Sequence, residues 1–382
     1  MLIYNTAQLD NRLIRQDAED AVDAGMIAPE TAERINAAHP YSLYSPNIFV
    51  CIGLMLATML VVLLAAGLIF LLMVDGALRS IEVFFIVWGI LAYGALESWM
   101  ATHRHYRSGV DDGLEWMSVL MIGISLVSLM ENQSPVLLFA LLSVLGSWFT
   151  VRTSNPGIAL GTWCCGVMLV VNLAIWYLPG ARYALPFLIM AVAGTGYFQF
   201  TRMQRQFRFR HYELALSVFR LAALATFYLA GNYFAVHHAG RELLGMEGSP
   251  PLPWLFWTLS LLLPPAYIWM GLRKKDRIPL AMGLILIAAA VFTVRAYHAV
   301  LPLEAAMALG GIGLIAVSYI VHQYLKTPKR GFTTQAMNTR SFGAEQLEGL
   351  IVAETMQHAP QPAETTRFGG GSSGGGGAGG EY

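Results

Sequence analysis

Charge is what this chain has least of. Asp, Glu, Lys and Arg together make up 13% of its 382 residues, against about 25% in a soluble domain, and the formal net charge is zero. With no surplus of basic residues there is nothing to neutralise a phosphate backbone, so a nucleic-acid partner is not expected. Cysteine is just as sparse. Cys51, Cys164 and Cys165 each fall in an apolar run and read as small apolar side chains, not as a disulfide framework or a set of metal ligands. No cofactor or metal is implied. The chain also lacks a GxSxG nucleophile turn, an HExxH pair and a phosphate-binding loop ending in Gly-Lys-Ser or Gly-Lys-Thr, so a non-enzymatic role is expected. Finally, the polar, acidic stretch through residue 46 has no basic start and no short apolar run of the signal-peptide kind. The first apolar span is therefore expected to direct insertion itself.

Apolar residue types, by contrast, reach 56%, and the mean hydropathy is +0.53. A single soluble core stops growing at roughly 250 to 300 residues and could not bury that much, so a lipid bilayer is the expected surrounding. A helix needs about 20 apolar residues to cross some 30 Å of hydrocarbon. Ten runs qualify, near 47–73, 81–101, 114–130, 136–153, 158–178, 185–200, 213–236, 254–272, 280–300 and 304–325. They are continuously apolar, whereas a barrel strand alternates over about ten residues. The expected fold is all-α, a polytopic transmembrane helix bundle. Lys and Arg gather on the cytoplasmic side of such bundles. With the N-terminus inside, the outer segments hold only Arg79, Arg182 and Arg241, while clusters such as Arg202, Arg205, Arg208 and Arg210 or Arg273, Lys274, Lys275 and Arg277 fall inside. Both ends are expected in the cytosol.

Three regions follow: a helical N-terminal segment (1–46), the transmembrane domain (47–325) and a tail (326–382). Residues 5–37 read as two short helices separated near Gly25, rich in Asp17, Glu19, Asp20 and Asp23. They are either a docking element for a protein partner or a solvated hairpin. In the tail, Leu347, Leu350 and Ile351 share a helix face that suits a partner or a membrane surface. Residues 369–380 are almost all Gly and Ser, the composition of a flexible coil and also of an engineered linker.

That ending, "FGGGSSGGGGAGGEY", resembles the glycine-rich, aromatic-closed tails of bacterial membrane proteins that carry a TPM-type extracytoplasmic domain. The domain itself is absent, so the likeness implies no activity. The stretches "YLAGNYF" (228–234), "FTVRAYHAVLPLEAAMALGGIG" (292–313) and "YLKTPKRGFT" (324–333) resemble a family of uncharacterised bacterial multi-pass membrane proteins with this same tail. The resemblance implies a bacterial inner-membrane location and supplies no biochemistry.

Charged residues within spans cost at least about 2.5 to 3.5 kcal/mol at a helix centre, which makes them the first places to look for function. Glu97 and Arg220 lie at similar depths and are expected to pair, either as a packing salt bridge or as a gated site. Arg295, His298 and Glu304 are expected to converge at an outer mouth that could capture an anion or relay a proton, although Arg295 could equally snorkel to headgroups. Pro264 and Pro265 in "LLLPPAYIW" are expected to break their helix, as at transporter sites, or merely to kink it. Asn172 and Asn232 read as interhelical hydrogen bonders. His238 and Glu242 would share a face if their loop were helical, with too few ligands for a metal site. The function expected from all this is a membrane scaffold or assembly factor with docking ends; the alternative is a secondary transporter or channel for a small solute, anionic ones included.

Overall fold

A computed structural model of the chain describes residues 2–23, 25–73, 80–103, 105–131, 133–178, 180–245, 248–297 and positions 308, 311, 312, 315, 319 and 323. Two amphipathic helices come first, α1 (Thr6–Asp23) and α2 (Pro29–Ala38), where the sequence places them. Long apolar helices follow: α3 (Ile48–Met73), α4 (Ile81–Thr102), α5 (Val110–Leu129), α6 (Pro135–Thr153), α7 (Pro156–Tyr177) and α8 (Ala181–Gln204). A 3-10 turn (Phe207–Tyr212) leads into α9 (Glu213–Gly231), then the short α10 (Tyr233–Leu244), α11 (Pro253–Lys274) and α12 (Arg277–Tyr297). Among the described residues nine helical segments are long and apolar enough to cross a membrane. The fold is an all-α polytopic bundle. The tenth expected span and the tail lie outside the described residues, apart from the isolated positions above.

Sequence-local chemistry sets where the helices begin and end. Pro135, Pro156 and Pro253 occupy first-turn positions, where their missing N–H costs nothing. Ser80 accepts from the Val83 amide at 3.2 Å to start α4, and Asn155 accepts from Gly157 and Ile158 at 3.0 and 3.4 Å to start α7. Short turns make hairpins of α4–α5, α6–α7, α8–α9 and α11–α12, the most extensively packed pairs. In the last of these a Cβ on Gly271 would meet the Leu280 amide nitrogen at 2.6 Å and one on Gly283 the Pro264 carbonyl at 2.9 Å, so glycine lets α12 lie this near α11.

Exposed apolar side chains show which faces meet hydrocarbon. Along α3, Leu60, Leu64 and Leu68 are exposed and only Ala66 is buried, the pattern of a helix surrounded by lipid tails. The interior core joins α9, α11 and α12 through Leu224, Tyr228, Tyr267, Met282 and Leu286, and the Tyr267 hydroxyl donates to the Leu224 carbonyl at 3.1 Å.

Two expectations change here. Helix α11 runs unbroken through Pro264 and Pro265. Each proline withdraws one backbone donor, but the buried Pro264 ring packs into the interior, and neighbouring helices hold the segment helical. The run 213–236, read as one span, is two helices. The chain turns at Asn232, whose side-chain Oδ1 caps α10 by accepting from the Ala235 amide at 3.1 Å and whose side-chain Nδ2 donates to Thr293 of α12 at 2.8 Å and to Tyr228 at 3.0 Å. The interhelical use expected for Asn232 is thus present and doubles as a cap. Asn172 instead donates to Met168 of its own helix at 2.8 Å.

Candidate functional site

The expected Glu97–Arg220 pair does not form, because each side chain has another partner. Glu97, near the end of α4, accepts from Arg152 of α6 through Nε and Nη2, both at 2.8 Å, and from Tyr93 at 2.5 Å. Arg220 donates to Asp276 in the α11–α12 turn, to Gln204 at 2.6 Å and to Thr201 at 3.1 Å, with Tyr197 facing its guanidinium at 5.5 Å. Equal depth suggested the pairing; the neighbours across each helix decided otherwise. Of the expected outer mouth, Arg295 is half-buried in the last turn of α12, while His298 and Glu304 lie outside the described residues. His238 and Glu242 are exposed on α10, and no group of three His, Cys, Asp or Glu is placed to hold a metal ion among the described residues.

The densest polar site sits at the start of α5, where the sequence reading leaves Asp111 and Asp112 outside the third span (114–130) and passes over Glu115 just inside it. Asp111, Asp112 and Glu115 fall in the first two turns of the helix, where negative charge meets the positive end of the helix dipole. Asp111 and Glu115 are each only 1% exposed. The preceding loop makes this possible by turning sharply, with Arg107 at φ 49° and Gly109 at φ 92°, which aims the amides of Arg107 and Ser108 at Asp111, both at 2.8 Å. The Ser108 hydroxyl at 3.0 Å and the Tyr4 hydroxyl at 3.0 Å complete the set. Glu115 accepts from the Thr153 hydroxyl at the end of α6 and from the Asn155 side chain at 3.0 Å. Asp112 faces the Cys51 thiol at 3.9 Å and the Asn155 amide at 3.5 Å. Cys51, read as a small apolar side chain, therefore borders this polar group from α3, where its thiol also meets the Arg107 carbonyl at 3.5 Å.

Gly109 is indispensable to this loop. Its backbone lies in the left-handed region, and an added Cβ would run into the Cys51 backbone carbonyl. Gly109→Ala is expected to cost about 2 to 3 kcal/mol, read as a lower melting temperature of the detergent-solubilised protein; a melt unchanged within error would refute the close approach.

The same cluster anchors the N-terminal segment. Tyr4, Leu9 and Leu43 form a small core with Met100 and Tyr106, and Arg12 lies 4.7 Å over the Tyr106 ring. Burial and the neighbouring Asp111 charge hold the Tyr4 hydroxyl well above its ordinary pKa, so it stays a donor to Asp111. The Ile3 amide donates to the Arg152 carbonyl at 2.8 Å. On the other side of α1, Asp10 accepts two hydrogen bonds from Arg210, at 2.6 and 2.7 Å, and His211 lies 3.2 Å away. Those bonds hold the Asp10 carboxyl below the usual carboxylate range. Arg210 is thus a latch for the N-terminal helices. What sequence signal existed was the spacing Asp111, Asp112, Glu115, which puts 111 and 115 on one helix face; a hydropathy window discards it as flank.

Protein-family models, curated proteins and solved structures, compared with this chain, return no match.

Proposed function

We propose that the protein is a non-enzymatic membrane scaffold that docks a partner on its N-terminal helices. The observation supporting this is the way the N-terminal segment is fastened to the bundle at two points, by Tyr4 just ahead of α1 on Asp111 and by Asp10 of α1 on Arg210. A solvated hairpin needs no such fastening. A platform already ordered spares the partner the entropy of ordering it. The surface left outward carries Glu19, Asp23, Glu30 and Glu33, all exposed, around Met26, 76% exposed in the α1–α2 turn. Anionic headgroups repel that face, so it addresses the aqueous phase, on the side that the distribution of Lys and Arg favours as the cytosol, and its chemistry suits a basic segment with an apolar anchor. A photo-crosslinking residue at position 26 is expected to capture one discrete protein in cells. Reversal of Asp23, Glu30 and Glu33 to Lys should cut that capture about tenfold. Capture that is diffuse or indifferent to the reversal would refute the docking role.

The latch carries its own pH signature. A carboxylate whose folded pKa is lowered stabilises the fold fully above its unfolded value, about 3.9, and that contribution is lost as pH falls through the lowered folded value. The protection of α1 against hydrogen exchange, corrected for the pH dependence of the intrinsic exchange rate, is therefore expected to fall below about pH 4. Arg210→Ala should remove the Asp10 part of this step; an unaltered profile would show that Arg210 is not the latch.

Secondary transport is the second reading, favoured by one observation. Asp111, Asp112 and Glu115 form no ion pair among the described residues, and carboxylates buried among neutral donors are a common element of proton-linked carriers.

A further inference from the structure

Away from the carboxylate cluster, between α7, α8, α9 and α10, lies a cavity of about 340 Å³, within the size range of small-ligand sites. We propose that it holds one acyl chain of a bilayer phospholipid. This goes beyond the scaffold reading and does not depend on it.

The wall is apolar from floor to mouth. Val167, Val171, Leu185 and Ile189 line it from the two long helices. Its few polar groups are already engaged with each other. At the floor, the Trp163 indole donates to the Thr226 hydroxyl at 2.9 Å, so both present carbon to the space. At the mouth, His237 stacks on Tyr233 and meets the Tyr297 hydroxyl at 3.2 Å; burial and the neighbouring Arg241 charge push its pKa down. A cavity with so little polar surface gives water few partners, which favours hydrocarbon as its filling.

Its length matches the ligand. From Trp163 at the floor to Val171 the wall climbs eight helical residues, about 12 Å at about 1.5 Å each, close to one leaflet of a hydrocarbon core about 30 Å thick. The side is open where Cys164, Met168 and Leu229 are exposed, so a chain can enter laterally from the bilayer. Room at the top comes from small residues: Ala235, Ala239 and Gly240 of α10, with Ala230 below them. Helix α10 can cross the mouth there because the chain turns at Asn232, and a continuous span would have closed this space.

The test uses the full chain in phosphatidylcholine vesicles doped with phosphatidylcholine bearing a diazirine near the end of one acyl chain. After illumination, adducts are mapped by mass spectrometry. Adducts should concentrate on Trp163, Cys164 and Met168. Two variants close the space, Ala230→Phe inside it and Ala239→Trp at its exposed rim, the latter chosen because it leaves the interior packing alone. Each should lower pocket labelling about tenfold, the loss expected when a side chain occupies the ligand's volume, while adducts on the lipid-facing α3 stay unchanged. Labelling of α7 that survives Ala239→Trp, or that spreads evenly along the helix as on α3, would mean ordinary boundary lipid only and would overturn the proposal.

Discussion

Asp276→Ala is expected to lower the unfolding free energy of the detergent-solubilised protein by about 3 to 5 kcal/mol, the range measured when one partner of a buried ion pair is removed. Arg220 is 6% exposed, and Asp276 is the carboxylate it meets. Without it, Gln204 and Thr201 supply acceptors but no charge. The loss has a second component, because Asp276 also accepts from the Ile278 amide at 3.1 Å and so caps α12; a cap contributes about 1 kcal/mol. Asp276→Asn separates the two. It keeps the cap and removes the charge, so it should fall between wild type and Asp276→Ala. Replacing both partners, Arg220→Met with Asp276→Ala, should lose less than the sum of the single changes, because no charge is then left alone. Additive losses, or a cost for Asp276→Ala within the ±0.5 kcal/mol of an ordinary surface change, would show that the pair does not hold α9 to the α11–α12 turn.

Why this pair escaped the sequence is instructive. Asp276 lies among Arg273, Lys274, Lys275 and Arg277, and in a run read for its positive charge one carboxylate looks like compensation. Depth along the helix is legible in a sequence because lipid demands an apolar run of fixed length, which is why the spans from Ile48 to Tyr297 emerge with boundaries a few residues off. Azimuth is not. Whether Glu97 meets Arg152 or Arg220 depends on α4 lying beside α6, where Tyr93 packs on Phe149 and accepts from Trp148, and no local pattern encodes which helix is the neighbour. The start of α5 failed for a related reason. Asp111 is buried by Tyr4, 107 residues away, and a window that sees only flanking charge assigns such a residue to water. The turn at Asn232 was hidden because the aromatic residues beyond it keep the apolar run going.

Glu115→Ala should be the most damaging change at the carboxylate cluster, costing about 3 to 5 kcal/mol when the cavity left by a long buried side chain is added to the penalty for stranding the Asn155 donor, about 1 to 3 kcal/mol. Glu115 is where three elements meet: it belongs to α5, it accepts from Thr153 at the end of α6, and it accepts from Asn155, the residue that caps α7. Thr153 has an alternative acceptor in the Phe149 carbonyl at 2.8 Å, so its hydroxyl survives the change; the Asn155 amide keeps only the long approach to Asp112 at 3.5 Å. The loss therefore concentrates on the α6–α7 turn, and hydrogen exchange there should quicken more than in α9 or α12. Glu115→Gln retains the volume and one acceptor, and should keep most of the stability. That retention turns the variant into a test between the two functional readings. A scaffold needs the cluster only as a clamp, so the Gln protein should hold its partner at position 26 as well as wild type does. A proton-linked carrier needs an exchangeable proton on Glu115, so the same protein, folded and clamped, should be inactive in vesicle proton-flux measurements in which the wild type is active.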